Sequence, residues 1–400
     1  MSPVKKMADL RGFNISPMQW LCVQLLFFVV GIKLMVQGSE AGARGSVDAL
    51  ETFHHGYDQK LEVSSARHPR GGWGVRRRFV QGGADIEESY SRTWRSVFRD
   101  GAEFGDNTVM VVSLDGTGDY RSVQSAVDQV PDGNTRRVTV YITSGVYEEK
   151  VIIPITKPFI TLQGEGRNRT VITWNDTADA AGTLMSASVV VKADHFIARD
   201  ISFKNSAGPP VPTRVNMQAA AFRISGDMAF LYGCNFFGYQ DTLYDHEGRH
   251  YYYRCLIEGS EDFIFGVARS LFERCWLHSI AEDGRGALVA QGKYYPGSIM
   301  GTSGYSFVSC IITGTGRPWL GRAWGQYSTV VYSFCEMDAD IIPEGWYDWG
   351  LPERARTAYV GQYRCTGRGA NTTGRVPWAR ELTDGEAQPF LSIQFIDGPW

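Results

Sequence analysis

Two aspartates stand seven residues after two cysteines: Asp241 after Cys234, and Asp262 after Cys255. An interval kept twice points to a repeat in which both acids hold the same position. Side by side, two carboxylates do not both ionise freely, so one keeps its proton near neutral pH. A carboxylate beside a carboxylic acid is a nucleophile beside a general acid, or a base beside an acid. Two amides accompany them. Gln240 directly precedes Asp241, and Gln218 lies 23 residues upstream of it. Amide N–H groups at such a site can form an oxyanion hole. Arg322, in Leu320-Gly-Arg-Ala-Trp324, offers a guanidinium that can bind a carboxylate bidentately and keep it ionised. Tyr239, Phe265, Trp324 and Trp346 are aromatics suited to stacking on sugar rings. The same spacing also suits solvated turn aspartates or a Ca²⁺ ladder, and spacing alone does not name the reaction.

The element that must position these residues is itself a repeat. Cysteines at 234, 255, 275, 310 and 335 each open or flank a short apolar run, at steps of 21, 20, 35 and 25 residues. A period of 20–25 residues with occasional insertions marks a solenoid. No LxxLxL ladder is present, which excludes a leucine-rich repeat. Short β runs punctuated by glycine (45 in 400 residues) predict an all-β fold, a right-handed parallel β-helix. Coils stack at about 4.8 Å, so Asp241 and Asp262 should have Cα atoms about 5 Å apart. The same stacking makes Cys234 with Cys255, and Cys275 with Cys310, disulfide candidates. The alternative is an inward ladder of free thiols acting as small hydrophobes. Cys365 falls outside the repeat. Upstream, Val109–Ser113, Val138–Ile142, Val151–Ile153 and Phe159–Leu162 read as strands. Ser122–Val130 reads as a short amphipathic helix with serine at its start.

Composition narrows the function classes. A net charge of −3 with 21% charged residues gives no reason to expect nucleic acid as a partner. There is no HExxH, CxxC, GxSxG, P-loop or GxGxxG, so metal, nucleotide and α/β-hydrolase chemistry are poor fits. Residues 1–43 carry Lys5, Lys6 and Arg11 before an apolar run from Trp20 to Val36, then Ala41-Gly-Ala43. That pattern predicts a signal peptide or signal anchor. Residues 44–105 read as a linker or pro-segment, and 106–400 as the β-helix domain. Export agrees with sequons at Asn168, Asn175 and Asn371, which are glycosylation candidates.

Four patches together resemble the plant pectinesterase (pectin methylesterase) family. They are Gly145-Val-Tyr-Glu-Glu, Gln218–Arg223 with Gly238-Tyr-Gln-Asp-Thr-Leu-Tyr, Asp262-Phe-Ile-Phe-Gly, and Leu320-Gly-Arg-Ala-Trp. Pro343-Glu-Gly-Trp346 and Arg375-Val-Pro-Trp-Ala-Arg are also similar. The resemblance covers about residues 107–400 and matches the shorter class, without an inhibitor-like pro-domain. It implies a secreted, cofactor-free and metal-free enzyme of the cell wall. That enzyme demethylates homogalacturonan to give methanol, working as a monomer that a proteinaceous inhibitor can cover. It implies Asp262 as nucleophile, forming an acyl-enzyme, and Asp241 as acid then base. It implies Gln218 and Gln240 as the oxyanion hole, Arg322 orienting Asp262, and Trp324 and Trp346 as walls of the substrate groove. One departure stands out: Glu261 occupies a position that is usually uncharged in the family. Strand alternation should point it away from Asp262, toward the core, where it would need a partner. An acid there raises the pKa of Asp262, so a pectin-binding relative of reduced catalysis is the alternative expectation. A polygalacturonase or lyase on the same fold is a third expectation; the further Asp and His motifs of a polygalacturonase are not found here, and a lyase should need Ca²⁺.

Overall fold

A computed structural model describes residues 108–211, 213–282, 286–296 and 303–400. The expected signal segment, with Cys22, and the whole expected linker lie outside the described residues. Among the described residues, three parallel sheets of eleven, eight and eight strands wind around one interior. One coil shows the path. Ala229–Tyr232 lies in the large sheet, Asn235–Phe237 in one small sheet, and Leu243–Asp245 in the other. Arg249–Tyr253 then returns to the large sheet beside Ala229–Tyr232, one coil on. This is a right-handed parallel β-helix, the handedness that twisted strands impose on parallel crossovers.

Each corner between the large sheet and the first small sheet repeats one backbone device. The residue just before each cysteine takes a left-handed conformation: Gly233, Arg254, Arg274, Ser309, Phe334 and Arg364, with φ between 49° and 60°. The left-handed residue turns the chain and sends the cysteine inward. For the non-glycine residues this costs roughly 1–2 kcal/mol each. It persists because the coils on either side determine the corner. Backbone hydrogen bonds confirm the register: Leu256 N–H donates to the Cys234 carbonyl, Trp276 to Cys255 and Ile311 to Cys275, at 2.8–2.9 Å.

The structure corrects the disulfide expectation. Cys234, Cys255, Cys275 and Cys310 are free thiols, as are Cys335 and Cys365. In-register parallel neighbours hold their Cβ atoms about 4.8 Å apart and pointing the same way. A disulfide needs about 3.8 Å. From Cys255 onward each thiol instead donates to a carbonyl of the preceding coil, Cys255 to Leu231 and Cys275 to Tyr252, both at 3.4 Å, while Cys234 donates to Tyr232 of its own coil. Cys365, expected outside the repeat, extends the ladder, with its Sγ donating to the Tyr332 carbonyl.

Aromatic rings fill the interior under the large sheet. Tyr252, Phe272, Phe307 and Tyr332 stack in succession at 4.5–4.7 Å, one ring per coil. Such pairs add about 0.5–1.5 kcal/mol each beyond their burial. The predicted helix is Val123–Gln129. Ser122 Oγ accepts from Ser125 N–H, and Glu149, from the first family-like patch, accepts from the N–H groups of Val123 and Gln124 at 2.7 and 2.9 Å. Its buried Val123, Ala126 and Val127 close one end of the core.

After denaturation without reductant, the six described cysteines should each take up one equivalent of a thiol reagent. Reductant should leave Tm unchanged. A fall in Tm on reduction would restore the disulfides.

Candidate active site

The site sits on the corner between the two small sheets. Leu243 pairs with Ile264 and Phe222 with Leu243. Two residues before Leu243 and Ile264 stand Asp241 and Asp262, in the same register on adjacent coils. Asp241 N–H donates to the Glu261 carbonyl at 3.0 Å. Both aspartates are left-handed, with φ of 65° and 47°, and aspartate is among the few residues that tolerate this. Gln240 bridges Glu261 across the coils. Ala219 N–H donates to the Gln240 carbonyl at 3.1 Å, which puts Gln218 beside Gln240 on the neighbouring coil. The Gln218 Oε1 is buried and makes no hydrogen bond.

Arg322 comes from Gly321–Ala323, two strands beyond the Asp262 coil in the same sheet. Its Nε donates to Asp262 Oδ1 at 2.7 Å, and its Nη2 donates to Asp262 Oδ2 and, at 2.9 Å, to Glu261 Oε1. The ring of Trp349 covers the guanidinium face, 4.4 Å from Cζ. The expectation for Glu261 is therefore corrected. It faces the same arginine as Asp262 rather than the core, because the left-handed φ at Asp262 breaks strand alternation. Glu261 is also the outermost of the three, with a side chain 36% exposed against 8% for Asp262 and 19% for Arg322.

The electrostatics separate the two acids. Burial pushes Asp241 well above its ordinary value, the charges of Asp262 and Glu261 push it further, and Arg322 only partly offsets this. Burial also raises Asp262, but the Arg322 hydrogen bonds and charge pull it back, so the net rise is smaller. For Arg322, burial works against the charge, yet the bonds to Asp262 win and hold it above its ordinary value. The surroundings thus disfavour the charge on Asp241 more than the charge on Asp262.

The groove floor is an outward ladder in register: Arg223, Tyr244, Phe265, Ala290, Arg322 and Tyr347. Phe265 stacks on Tyr244 at 4.2 Å and lies 6.3 Å from Trp324, which meets Tyr294 at 5.9 Å. Tyr239 is half-buried in the turn before Asp241. Trp346 is not a groove wall, and this corrects its expected role. It is 2% exposed and packs in the core 5.9 Å from Tyr332. Its strand partner is Gly321, whose missing side chain leaves the room: a Cβ there would meet the Trp346 ring at 2.8 Å. Trp349 and the exposed Tyr347, both missed in the sequence, take the groove side. The glycine opposite Trp346 was the available signal. Arg223 was also missed. It donates to the Leu184 carbonyl and faces His246 Nδ1, both at 3.2 Å. Asn168, Asn175 and Asn371 are all exposed.

Comparison with known proteins follows this geometry. The Pectinesterase family model matches residues 109–399. Pectinesterase QRT1 of Arabidopsis thaliana is 46% identical over 299 residues, 72% of this chain and 77% of the relative. Pectinesterase 31 of the same plant is 42% identical over 307 residues, 72% of this chain and 93% of the relative. The solved pectin methylesterase from carrot superposes with a TM-score of 0.68 at 35% identity, covering 72% of this chain and 92% of that one.

The raised pKa of Asp241 has a thermodynamic consequence. The folded state holds this proton more tightly than the unfolded chain does. The stability it contributes is full below the ordinary value of 3.8 and is lost as pH rises above it. Asp241→Asn, permanently neutral, should therefore raise Tm near neutral pH and leave it unchanged at about pH 3. An equal shift at both pH values would show that burial does not disfavour the Asp241 charge.

Proposed function

The chain belongs to the pectinesterase family, carboxylic ester hydrolases that remove methyl esters from pectin, and we propose that it does so with Asp262 as nucleophile and Asp241 as general acid and base. One observation carries the assignment. Two buried carboxyls share a register position, and among the described residues Arg322 hydrogen-bonds Asp262 but not Asp241. The acid kept ionised attacks, and the acid kept protonated donates.

The ionised Asp262 adds to the C6 carbonyl carbon of a methyl galacturonate unit. The negative charge that develops on the carbonyl oxygen is met by the amides of Gln218 and Gln240. Collapse breaks the bond to methoxide, which takes the Asp241 proton and leaves as methanol. Asp262 is now acylated as an anhydride. Asp241, now a carboxylate, takes a proton from water as that water adds to the acyl carbon. The anhydride breaks, Asp262 regains its carboxylate, and Asp241 is again protonated. The product acid gives its proton to solvent. Arg322 stays bound to Asp262 except while the acyl group occupies the attacking oxygen. Tyr244, Phe265, Trp324 and Trp349 form the surface on which sugar rings of the polymer lie. Glu261, which motivates the reading of reduced catalysis, accepts from Arg322 Nη2 at 2.9 Å, and this contact fixes its carboxylate on the arginine.

Pectin lies in the cell wall, so the enzyme acts outside the cell. Residues 1–43 direct it there, and the exposed sequons take up glycan on the way.

Asp262→Ala should abolish methanol release from highly methylated pectin while leaving the fold intact. Release that persists would move the nucleophile elsewhere. Gln240→Ala should lower kcat by about 10²–10³, the usual loss for one oxyanion donor. Arg322→Lys loses the two-pronged hold, so the Asp262 pKa rises and the acid limb of the rate profile moves to higher pH. An unmoved limb would remove Arg322 from the control of that charge.

A further inference from the structure

The groove meets a polymer whose units differ in charge: a methyl-esterified galacturonate is neutral, and a demethylated one is an anion. The charges at the site are therefore a means of selection. In the proposed mechanism Asp241 is protonated and Arg322 offsets the charge of Asp262, so these three together are close to neutral. Glu261 leaves the cluster with one net negative charge. It occupies the position that Gln240 holds one coil earlier, so an amide in one coil is followed by a carboxylate in the next. It is also the most exposed member of the cluster, at 36%. Arg322 is not free to turn toward an anionic unit. One edge is spent on Asp262 and Glu261, and Trp349 covers a face. Arg223, on the same sheet face, is engaged with His246 and the Leu184 carbonyl four strands away. At about 4.8 Å per strand that is roughly 19 Å from Arg322.

We infer that Glu261 is a charge filter: it disfavours demethylated units beside the reacting ester and directs the enzyme to densely esterified stretches. The inference rests on the pectinesterase reading and concerns specificity, not the chemical step. Two charges several ångströms apart at a partly exposed site interact by an amount that changes binding by roughly three- to tenfold. The effect belongs in KM rather than kcat, because the repulsion acts on bound substrate and transition state alike.

The test uses two hexagalacturonates, one fully methyl-esterified and one with half its esters removed, and measures kcat/KM by methanol release per ester. At low salt the wild type should prefer the full ester. Glu261→Gln should cut that preference about three- to tenfold through KM. Glu261→Asp, which keeps the charge, should retain it. Glu336→Gln, an exposed acid on another sheet, should not alter it. Raising salt from roughly 0.01 M to 1 M shortens the screening length from ~30 to ~3 Å. The wild-type preference should then fall toward that of Glu261→Gln. A Gln variant with the wild-type preference at low salt would overturn the filter. If that variant does not fold, a wild-type preference unmoved by salt would overturn it. No release by the wild type from either substrate would instead bring down the esterase reading beneath it.

Discussion

The structure depends on coil-to-coil register. The acids and amides of the site are brought together by backbone hydrogen bonds between neighbouring coils. Asp241 N–H on the Glu261 carbonyl and Ala219 N–H on the Gln240 carbonyl are the two that assemble it. A slip of one residue would send Asp241 to the other face of the chain. What prevents the slip is the interior. The cysteine ladder and the ring stack from Tyr252 to Tyr332 each demand one residue of a given size at one height. The thiols fit because they are small and apolar, and because each finds a carbonyl. Bridging them would draw neighbouring coils together at one edge and tilt the register the site needs.

Register alone would place two acids together without giving them different work. The asymmetry comes from a residue far along the chain. Arg322 lies 60 positions beyond Asp262, yet only two strands away in the sheet, and its planar fork matches one carboxylate. Burial raises both acids, and the arginine then lowers one of them more than the other. Trp349 presses on the guanidinium and limits its freedom to shift toward Asp241. The chemistry thus rests on a local difference imposed on a repeat that would otherwise make its coils alike.

Much of this was legible in the sequence, and the reason is periodicity. Asp241 and Asp262 shared an offset from a cysteine, so a count of seven gave their adjacency before any coordinates. The helix from Val123 was readable from its serine cap. Two of the errors, at Glu261 and Trp346, share one cause, which is direction. Glu261 and Trp346 were each assigned a side of the chain by alternation or by likeness. A left-handed Asp262 turned the first outward, and a glycine opposite turned the second inward. Left-handed φ at Arg, Phe or Asp leaves no mark in composition, because the cost is met by stacking that a linear reading does not contain. The family-like patches also divide by task. Glu149 caps a helix. Arg375 binds the carbonyls of Ile342 and Pro343 and holds the Gly345 turn. These patches support the site without entering it, which motif matching alone does not reveal.

A buried acid that keeps its proton is a standing cost to the fold above its ordinary pKa, and Glu261 adds to that cost by raising both neighbours. The β-helix tolerates such a cluster because its backbone bonds are satisfied coil by coil, independently of the groove face. The stability of the stack is then a sum over interfaces between coils, and one unfavourable corner is outweighed by many regular ones. That separation of scaffold from site leaves the charge pattern of the groove free to vary from one chain to another while register, ladder and acid pair stay fixed. Substrate preference can therefore change at a position like 261 without the chemistry at 241 and 262 being rebuilt.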